Sequence, residues 1–338
     1  MISDNAKAML VYNPAAGQRQ AEVDLARAVQ YLEGHGWQIC WRQTHGPGDA
    51  TTYAREAVAA GFDVVIAAGG DGTVGQVVNG LAGTQTALGV LPCGTTNVWA
   101  KECGLPLWSP LRPNALLEAA EILTGGETRR VDVGRVNGRY FLMWAGIGFD
   151  AQVTAHVEAQ PETKRRLGKL AFGIAVIVQT LNLSGTKAHI EIDGHRMSSR
   201  VFLVVASNIH LYADIIRLAP QASLYDGRVD VFVFRAYTGI EALRLLTSLL
   251  LGLHTRTPEV KCHQARRMVV RTSKPLPVHA DGDVVGTTPV EIDVVPQCLD
   301  VIVPAHLPYP PARWPRASRE PRAAPASPLF SFLPWMRQ

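Results

Sequence analysis

The chain has 338 residues, 47% hydrophobic and 18% charged, with a formal net charge of +4. That length favours two domains over one, and the charged share lies below the ~25% usual for soluble domains. Arg313, Arg316, Arg319, Arg322 and Arg337 against Glu320 account for the whole net charge, so residues 1–304 sum to zero and the body is excluded as a nucleic-acid binder on charge grounds.

The first third alternates short apolar runs with helical periodicity. Residues 8–12 read as a strand ending at the Asn13-Pro14 turn, and 21–33 as a helix with Val23, Leu25, Ala28, Val29 and Leu32 broadly on one face. Gly34 and Gly36 end it. A strand follows at 37–43, a helix at 49–60 with Asp49 as N-cap, and an apolar strand at 63–68. Gly69-Gly70-Asp71-Gly72-Thr73 then opens a helix to Leu81, and a strand at 88–91 runs into Pro92-Cys93-Gly94-Thr95-Thr96-Asn97. This β-α-β-α rhythm predicts a Rossmann-like parallel α/β sheet covered by helices over residues 1–130.

Beyond residue 130 the rhythm changes to antiparallel and β-rich. Strands at 131–136 and 139–144 flank Asn137-Gly138, and strands at 187–192 and 200–206 flank Asp193-Gly194, both hairpin signals. Further strands are expected at 229–234, 267–271, 290–295 and 300–303, with helices at 164–181 and 240–253. Residues 131–303 therefore read as a second, β-sandwich-like domain, whose last strands have the option of returning to the first. Residues 304–338 form a Pro/Arg-rich tail of disorder-type composition. No stretch offers the ~20 apolar residues of a membrane span. Five cysteines without CxxC spacing argue against a disulfide framework or zinc site and for a reducing cytoplasm. The N-terminus lacks a basic-then-apolar secretion signal.

The chemistry lies in the loops. Gly69 to Thr73 sits between a buried strand and a helix, where main-chain amides and the helix dipole favour an anion. Asn13-Pro14-Ala15-Ala16-Gly17 and Pro92 to Asn97 also follow strands, and the carboxyl ends of parallel strands share one edge. No GxxxxGK[ST] occurs, and the glycine pattern is not read as the dinucleotide-binding fingerprint. Asp71, a carboxylate beside a phosphate site, needs a metal or hydroxyl partner.

Asn13-Pro14-x-x-Gly17, Gly69-Gly70-Asp71-Gly72-Thr73, Pro92-x-Gly94-Thr95-x-Asn97 and Gly146-Ile147-Gly148-Phe149-Asp150, in that order, resemble the diacylglycerol-kinase catalytic family. That family is related to sphingosine kinases and, more distantly, to NAD kinases. The resemblance spans residues 8 to about 303. It implies an ATP- and Mg²⁺-dependent kinase that phosphorylates a lipid hydroxyl, with the nucleotide in the cleft between the domains. Asn13, Pro14, Gly17 and Thr44 would line the ATP site, Gly69, Gly70, Asp71, Gly72, Thr73 and Gly75 would wrap the phosphates, and Gly94, Thr95 and Asn97 would complete it. Asp150 would face the lipid headgroup, or else cap a helix. Ala280-Asp281-Gly282-Asp283 is similar to the family's Asp-Gly-Glu, whose last carboxylate is the general base. Asp283 is one methylene short, which leaves the base as Asp283 or Asp281, with Asp71 the third catalytic candidate. Ser223-Leu224-Tyr225-Asp226-Gly227-Arg228 resembles the Mg²⁺ loop, with the Asp226 carboxylate and the Ser223 and Arg228 carbonyls as ligands.

A lipid substrate implies peripheral contact with an anionic inner-membrane surface. Lys164-Arg165-Arg166 before an apolar helix, and the arginines and aromatics of the tail, are the candidate contacts, against a core helix and a disordered remnant. An exposed strand edge leaves a homodimer open. The alternatives are an NAD kinase, which shares the Gly-Gly-Asp-Gly-Thr loop, and a nucleotide-gated lipid-binding protein without turnover.

Overall fold

The computed structural model describes residues 2, 5–16, 19–149, 185–212 and 216–306. Its first part runs β1 (Lys7–Tyr12), α1 (Arg19–Gly34), β2 (Gln38–Gln43), α2 (Asp49–Ala59), β3 (Val64–Gly69), α3 (Asp71–Leu81) and β4 (Ala87–Pro92). These strands pair in parallel in the order β2-β1-β3-β4. Two helices without a sequence expectation follow, α4 (Val98–Glu102) and α5 (Ala115–Gly125).

The apolar strands are continuous because helices cover both faces. Met9, Val11, Val65, Ala67, Leu88 and Val90 pack with the alanines of α2 and with Val74, Val77, Val78 and Leu81 of α3. Their alternates, Ala8, Leu10, Val64, Ile66 and Leu91, meet Leu25, Ala28, Val29 and Leu32 of α1 and Leu116 of α5. Period-two alternation thus sends each strand's side chains to two separate cores.

The second part begins with the expected hairpin, β5 (Glu127–Val136) and β6 (Arg139–Phe141), around Asn137 and Gly138 at φ 47° and 88°. The strand expected over 139–144 is divided: β6 stops at Phe141 and β7 (Trp144–Gly148) joins another sheet. The amides of Leu142, Met143 and Trp144 donate to the Asp281 carboxylate at the break. Next come β8 (Thr186–Ile192), β9 (His195–Val201), β10 (Leu203–Ser207), β11 (Leu211–Tyr212), β12 (Ile216–Arg217) and β13 (Val229–Phe234). The described part closes with α6 (Gly239–Leu250), β14 (Val260–Ala265), β15 (Arg267–Thr272), β16 (Pro277–Ala280), β17 (Asp283–Thr287) and β18 (Val290–Val303). The strand expected over 200–206 is split between β9 and β10, and the hairpin partner of β8 starts at His195. β9 is an edge strand with mostly exposed polar residues, so it carries no apolar alternation to read. The expected strands 290–295 and 300–303 are one strand, irregular between Val295 and Leu299.

β18 joins the halves. It pairs antiparallel with β5 and β15, and Val301 pairs in parallel with Leu88 of β4. The first sheet thereby extends to ten strands. A second, antiparallel sheet, β14-β13-β10-β7-β16-β17, packs against that extension. Ile147, Val204, Val231 and Val278 meet Ile190, Met268, Val270 and Ile292 in a sandwich core. Among the described residues no helix is long and apolar enough to cross a membrane. The predicted helix 164–181 and the tail lie outside the described residues, apart from 304–306.

Gly134 of β5 lies under the fully buried Phe141 ring, where an added Cβ would stand 2.0 Å from the Phe141 Cζ. Gly134→Ala is expected to cost about 1–3 kcal/mol by overpacking, read as a lowered midpoint in urea unfolding.

Candidate active site

At the carboxyl rim of the parallel sheet, β3 and β4 pass directly into the two glycine loops. The Gly94 amide donates to the Gly69 carbonyl at 3.1 Å. A Cβ on Gly94 would lie 2.4 Å from the Gly70 Cα, so only glycine permits the loops to touch. Asn97, at φ 53°, holds the second loop closed through Nδ2 to the Gly94 carbonyl at 2.7 Å. Asn13, after β1, donates to the Thr73 hydroxyl at 3.2 Å, and its amide donates to the Ala68 carbonyl. Its side chain also accepts from the Ala15 amide, which shapes the Pro14 turn. Thr44 closes β2 by donating its amide to the Tyr12 carbonyl. Asn13, Pro14, Thr44, Gly69, Gly70, Asp71, Gly72, Thr73, Gly75, Gly94, Thr95 and Asn97 all belong to this rim or to the first turns of α3. Gly17 and Asp150 lie outside the described residues.

The two helix N-termini at the rim are not equivalent. Asp71 accepts from the amides of Val98 (2.9 Å) and Trp99 (3.1 Å) and from the Thr96 hydroxyl (3.1 Å). The anion position of α4 is therefore filled by a carboxylate from the neighbouring loop. α3 starts from Gly70 with no side-chain cap; its Thr73 and Val74 amides turn back to the Gly70 carbonyl at 3.0 and 3.1 Å, which leaves those of Asp71 and Gly72 without a partner among the described residues.

The second half reaches the rim through the turn between β16 and β17. Asp281 and Gly282 adopt φ 48° and 92°. The Asp281 carboxylate accepts the Leu142, Met143 and Trp144 amides at 2.7, 2.9 and 3.0 Å. It packs over α3 at Gly75, where a Cβ would lie 3.6 Å from the Asp281 Cβ. Enclosure of the carboxylate, reinforced by the charge of Asp71, outweighs the three amides and lifts its pKa to about 6. Asp283, two residues on, does not join this pair. It is ion-paired to Arg139 on a groove of about 420 Å³ lined by Pro47, Gly48, Thr51, Arg55, Gln76 and Asn79.

The Ser223–Arg228 segment is an exposed turn tied to β5. Asp132, almost fully buried, accepts the Gly227 and Gln297 amides at 2.6 and 2.8 Å. The Asp226 carboxylate accepts the Arg228 amide at 3.0 Å, and the Ser223 hydroxyl accepts the Tyr225 amide. Asp230 on β13 is buried with neither carboxylate oxygen partnered, and burial pushes it up to about 7. Among the described residues no three His, Cys, Asp or Glu are grouped to hold a metal.

Sequence reasoning missed Asp132, Asp230 and the Glu102–His210 pair. The only trace of the first two is an acid inside an apolar strand. Glu102, at the end of α4, is buried; it accepts the amides of His210 and Leu211 at 3.1 Å each and meets the His210 ring at 2.5 Å. It thereby joins the helix capped by Asp71 to the second half.

The chain is similar to known proteins over most of its length. Residues 7–136 match the diacylglycerol kinase catalytic domain, and residues 144–303 match the YegS C-terminal NAD kinase beta sandwich-like domain. A diacylglycerol kinase from Bacillus subtilis is 33% identical over 300 residues, 88% of this chain and 96% of the relative. The chain belongs to the diacylglycerol kinase family. A Staphylococcus aureus diacylglycerol kinase is 29% identical over 88% of this chain and 92% of its own length. The crystal structure of a Bacillus anthracis diacylglycerol kinase superposes with a TM-score of 0.71 at 28% identity, over 88% of this chain and 97% of that one. The chain is thus a kinase by family, with the fold of its relatives.

Because Asp281 is lifted to about 6, the fold favours its protonated form. Between pH ~4 and ~6 the folded state retains a proton that the unfolded chain has released, so this group's contribution to stability falls as pH rises through that window. Chemistry that needs the carboxylate ionised runs the other way. An acid limb near pH 6 is expected in kcat/KM, shifted or lost in Asp281→Asn; an unchanged limb in the variant would assign it elsewhere.

Proposed function

We propose that the enzyme transfers the γ-phosphoryl group of ATP to the free hydroxyl of diacylglycerol or a similar membrane lipid, giving a phospholipid such as phosphatidic acid. The observation that carries this reading is the uncapped N-terminus of α3, lying between the Asp71-filled start of α4 and the Asp281 turn of the second half. Polyphosphate on the first-turn amides of α3 has the nucleoside extending along α3, past Gly75, toward the groove lined by Pro47, Gly48 and Gln76. A groove of about 420 Å³ lies within the usual range for ligand sites. Asn13, Thr73, Asn97 and the Gly94 turn hold the loop shapes that bring these amides together.

Phosphoryl transfer asks for alignment and charge stabilisation more than covalent help. The acceptor hydroxyl still has to lose a proton. Asp71 and Asp281 each accept three hydrogen bonds, leaving about one of four acceptor positions. Asp281, lifted to about 6, has a proton affinity suited to transfer near neutral pH. We assign Asp281 that role, Asp71 the ordering of the two phosphate loops, and Asp283 the groove with Arg139. On this assignment the shortened side chain at Asp283 leaves proton transfer intact.

The turn suits a hard cation in one respect: an orphaned buried carboxylate, Asp230, interacts electrostatically with Asp226. The Asp226 carboxylate and the Ser223 and Arg228 carbonyls, with water, would hold Mg²⁺. When bound, Mg²⁺ supplies positive charge that offsets the acids of this turn and tightens the tie to Asp132. Location at the cytoplasmic face of the membrane follows from the pairing of ATP with a membrane lipid.

Incubation with labelled ATP and, in parallel, diacylglycerol, sphingosine and NAD is expected to label phosphatidic acid, whereas label in NADP would overturn the reading. In the same assay Asp71→Asn is expected to lose about 100-fold or more while remaining folded, and Asp283→Ala to retain more turnover than Asp281→Asn. Magnesium is expected to raise the melting temperature of the parent chain and not that of Asp226→Ala; an equal rise in both would remove the cation from this turn.

A further inference from the structure

The outward face of α6 breaks the usual rule for a surface helix. Ala242, Leu245 and Leu249 form its buried stripe. The opposite face of such a helix is normally polar. Here the middle is polar, with Arg244 and Thr247 exposed, but the ends are apolar: Ile240 at one and Leu251, just past the other, are 76% and 67% exposed, with Leu250 beside it at 65%. Tyr237 precedes the helix and is also exposed.

Both ends of this surface are rigidly built. Thr238 caps the helix by accepting the Glu241 amide, and Glu241 accepts the Tyr237 amide at 2.7 Å. At the other end Gly252, at φ 68°, donates to the Leu249 carbonyl, and Leu253 donates to that of Ser248 at 2.8 Å. In this closing motif the residue after the glycine ordinarily packs back on the helix. Leu253 is instead 47% exposed. The apolar side chains are held outward by well-formed caps and are not loosened by fraying.

Charge and position indicate what covers them. Between Arg235 and Lys261 there are four cations, Arg235, Arg244, Arg256 and Lys261, against two carboxylates, Glu241 and Glu259. Residues 1–304 as a whole are neutral, so this segment is a local positive excess. Arg256 and Lys261 are exposed. The second sheet gives the distance to the active site. Ala280, just before Asp281, pairs with Ala145 near the start of β7. Gly148 at its other end pairs with Leu203, and Leu203 with Phe234, from which the chain leads into α6. The apolar face therefore belongs to the end of the sheet away from Asp281. It is separated from that residue by roughly 14 Å of strand, about one leaflet of a ~30 Å hydrocarbon core. Beneath it, Phe149, Phe202 and Phe234 stack at 6.2 and 6.0 Å between ring centroids.

We infer that α6 and the turn after it form a bilayer-docking surface. Ile240, Leu250, Leu251 and Leu253 enter the acyl boundary of an anionic membrane, and Arg256 and Lys261 lie at its headgroups. The inference rests on the lipid-kinase reading for the nature of the substrate. The surface is formed by residues between Tyr237 and Lys261. Docked in this way, a lipid keeps its chains against apolar surface while its hydroxyl reaches the cleft.

The test uses the full chain and sedimentation with vesicles of phosphatidylcholine and phosphatidylglycerol, without ATP. Binding of this kind scales with buried apolar area and with attraction to anionic headgroups. The double substitution Ile240→Gln/Leu251→Gln, at exposed positions that leave the core untouched, is expected to weaken partition about tenfold or more. Arg256→Gln is expected to weaken it about fivefold at low salt and little at high salt. Turnover on a short-chain diacylglycerol kept below its aggregation limit should be unchanged in both variants, while KM on vesicle-embedded diacylglycerol rises. Unchanged partition of the double variant would overturn the inference, and so would equal loss on the soluble substrate. A parent dimer that the double substitution dissociates would assign the face to a second copy of the chain instead. If the parent sediments with vesicles but phosphorylates neither form of the lipid, the activity reading fails and the docking surface stands.

Discussion

The site depends on one carboxylate filling one helix end. Asp71 leaves the first turn of α3 and saturates the start of α4, accepting Val98 and Trp99 amides. A protein with two adjacent helix N-termini has two places for an anion. By occupying one with its own side chain, the chain leaves only the other open. The same contact locks the two glycine loops in register, which the approach of Gly70 and Gly94 requires. A substitution at Asp71 therefore acts on loop geometry and on charge together.

From α4 the constraint passes to the second half. Glu102, at the far end of this short helix, accepts the His210 and Leu211 amides. On the other side of the rim Asp281 gathers three amides at the β6–β7 break and rests on Gly75. The cleft is thus framed by carboxylates bound to main-chain donors, a geometry less easily displaced than exposed ion pairs, which contribute little. Lys and Arg are not the agents of that framing.

The continuous ten-stranded sheet explains why the halves are not independent beads. β18 pairs with β5 and β15 and reaches β4 through Val301 and Leu88. The last strand of the sequence thus stabilises the first domain, and Asp132, on β5, carries the Ser223–Arg228 turn as part of the same ladder. Any cation held at that turn is mechanically linked to the junction. At the far end of the second sheet α6 turns apolar side chains outward, so the Asp281 turn and this apolar surface occupy opposite ends of one short set of strands.

The order of motifs, the parallel sheet and the rim loops were legible in the residues, because glycine spacing after apolar strands is a local property with a local cause. Gly70 and Gly94 could be picked out, and so could the hairpins at Asn137-Gly138 and Asp193-Gly194. Strand 200–206 was misdivided because edge strand β9 is polar and has no period to read. The partnerships of the acids were not legible. Asp281 and Asp283 lie two residues apart on one turn, yet one is enclosed by amides 137–139 positions away and the other is paired with Arg139. Local pattern thus determined where the loops and hairpins fall between the strands. Long-range burial and hydrogen bonding, which no short segment encodes, decided which carboxylate is held near neutrality, which helix end is left for an anion, and where the exposed apolar face lies.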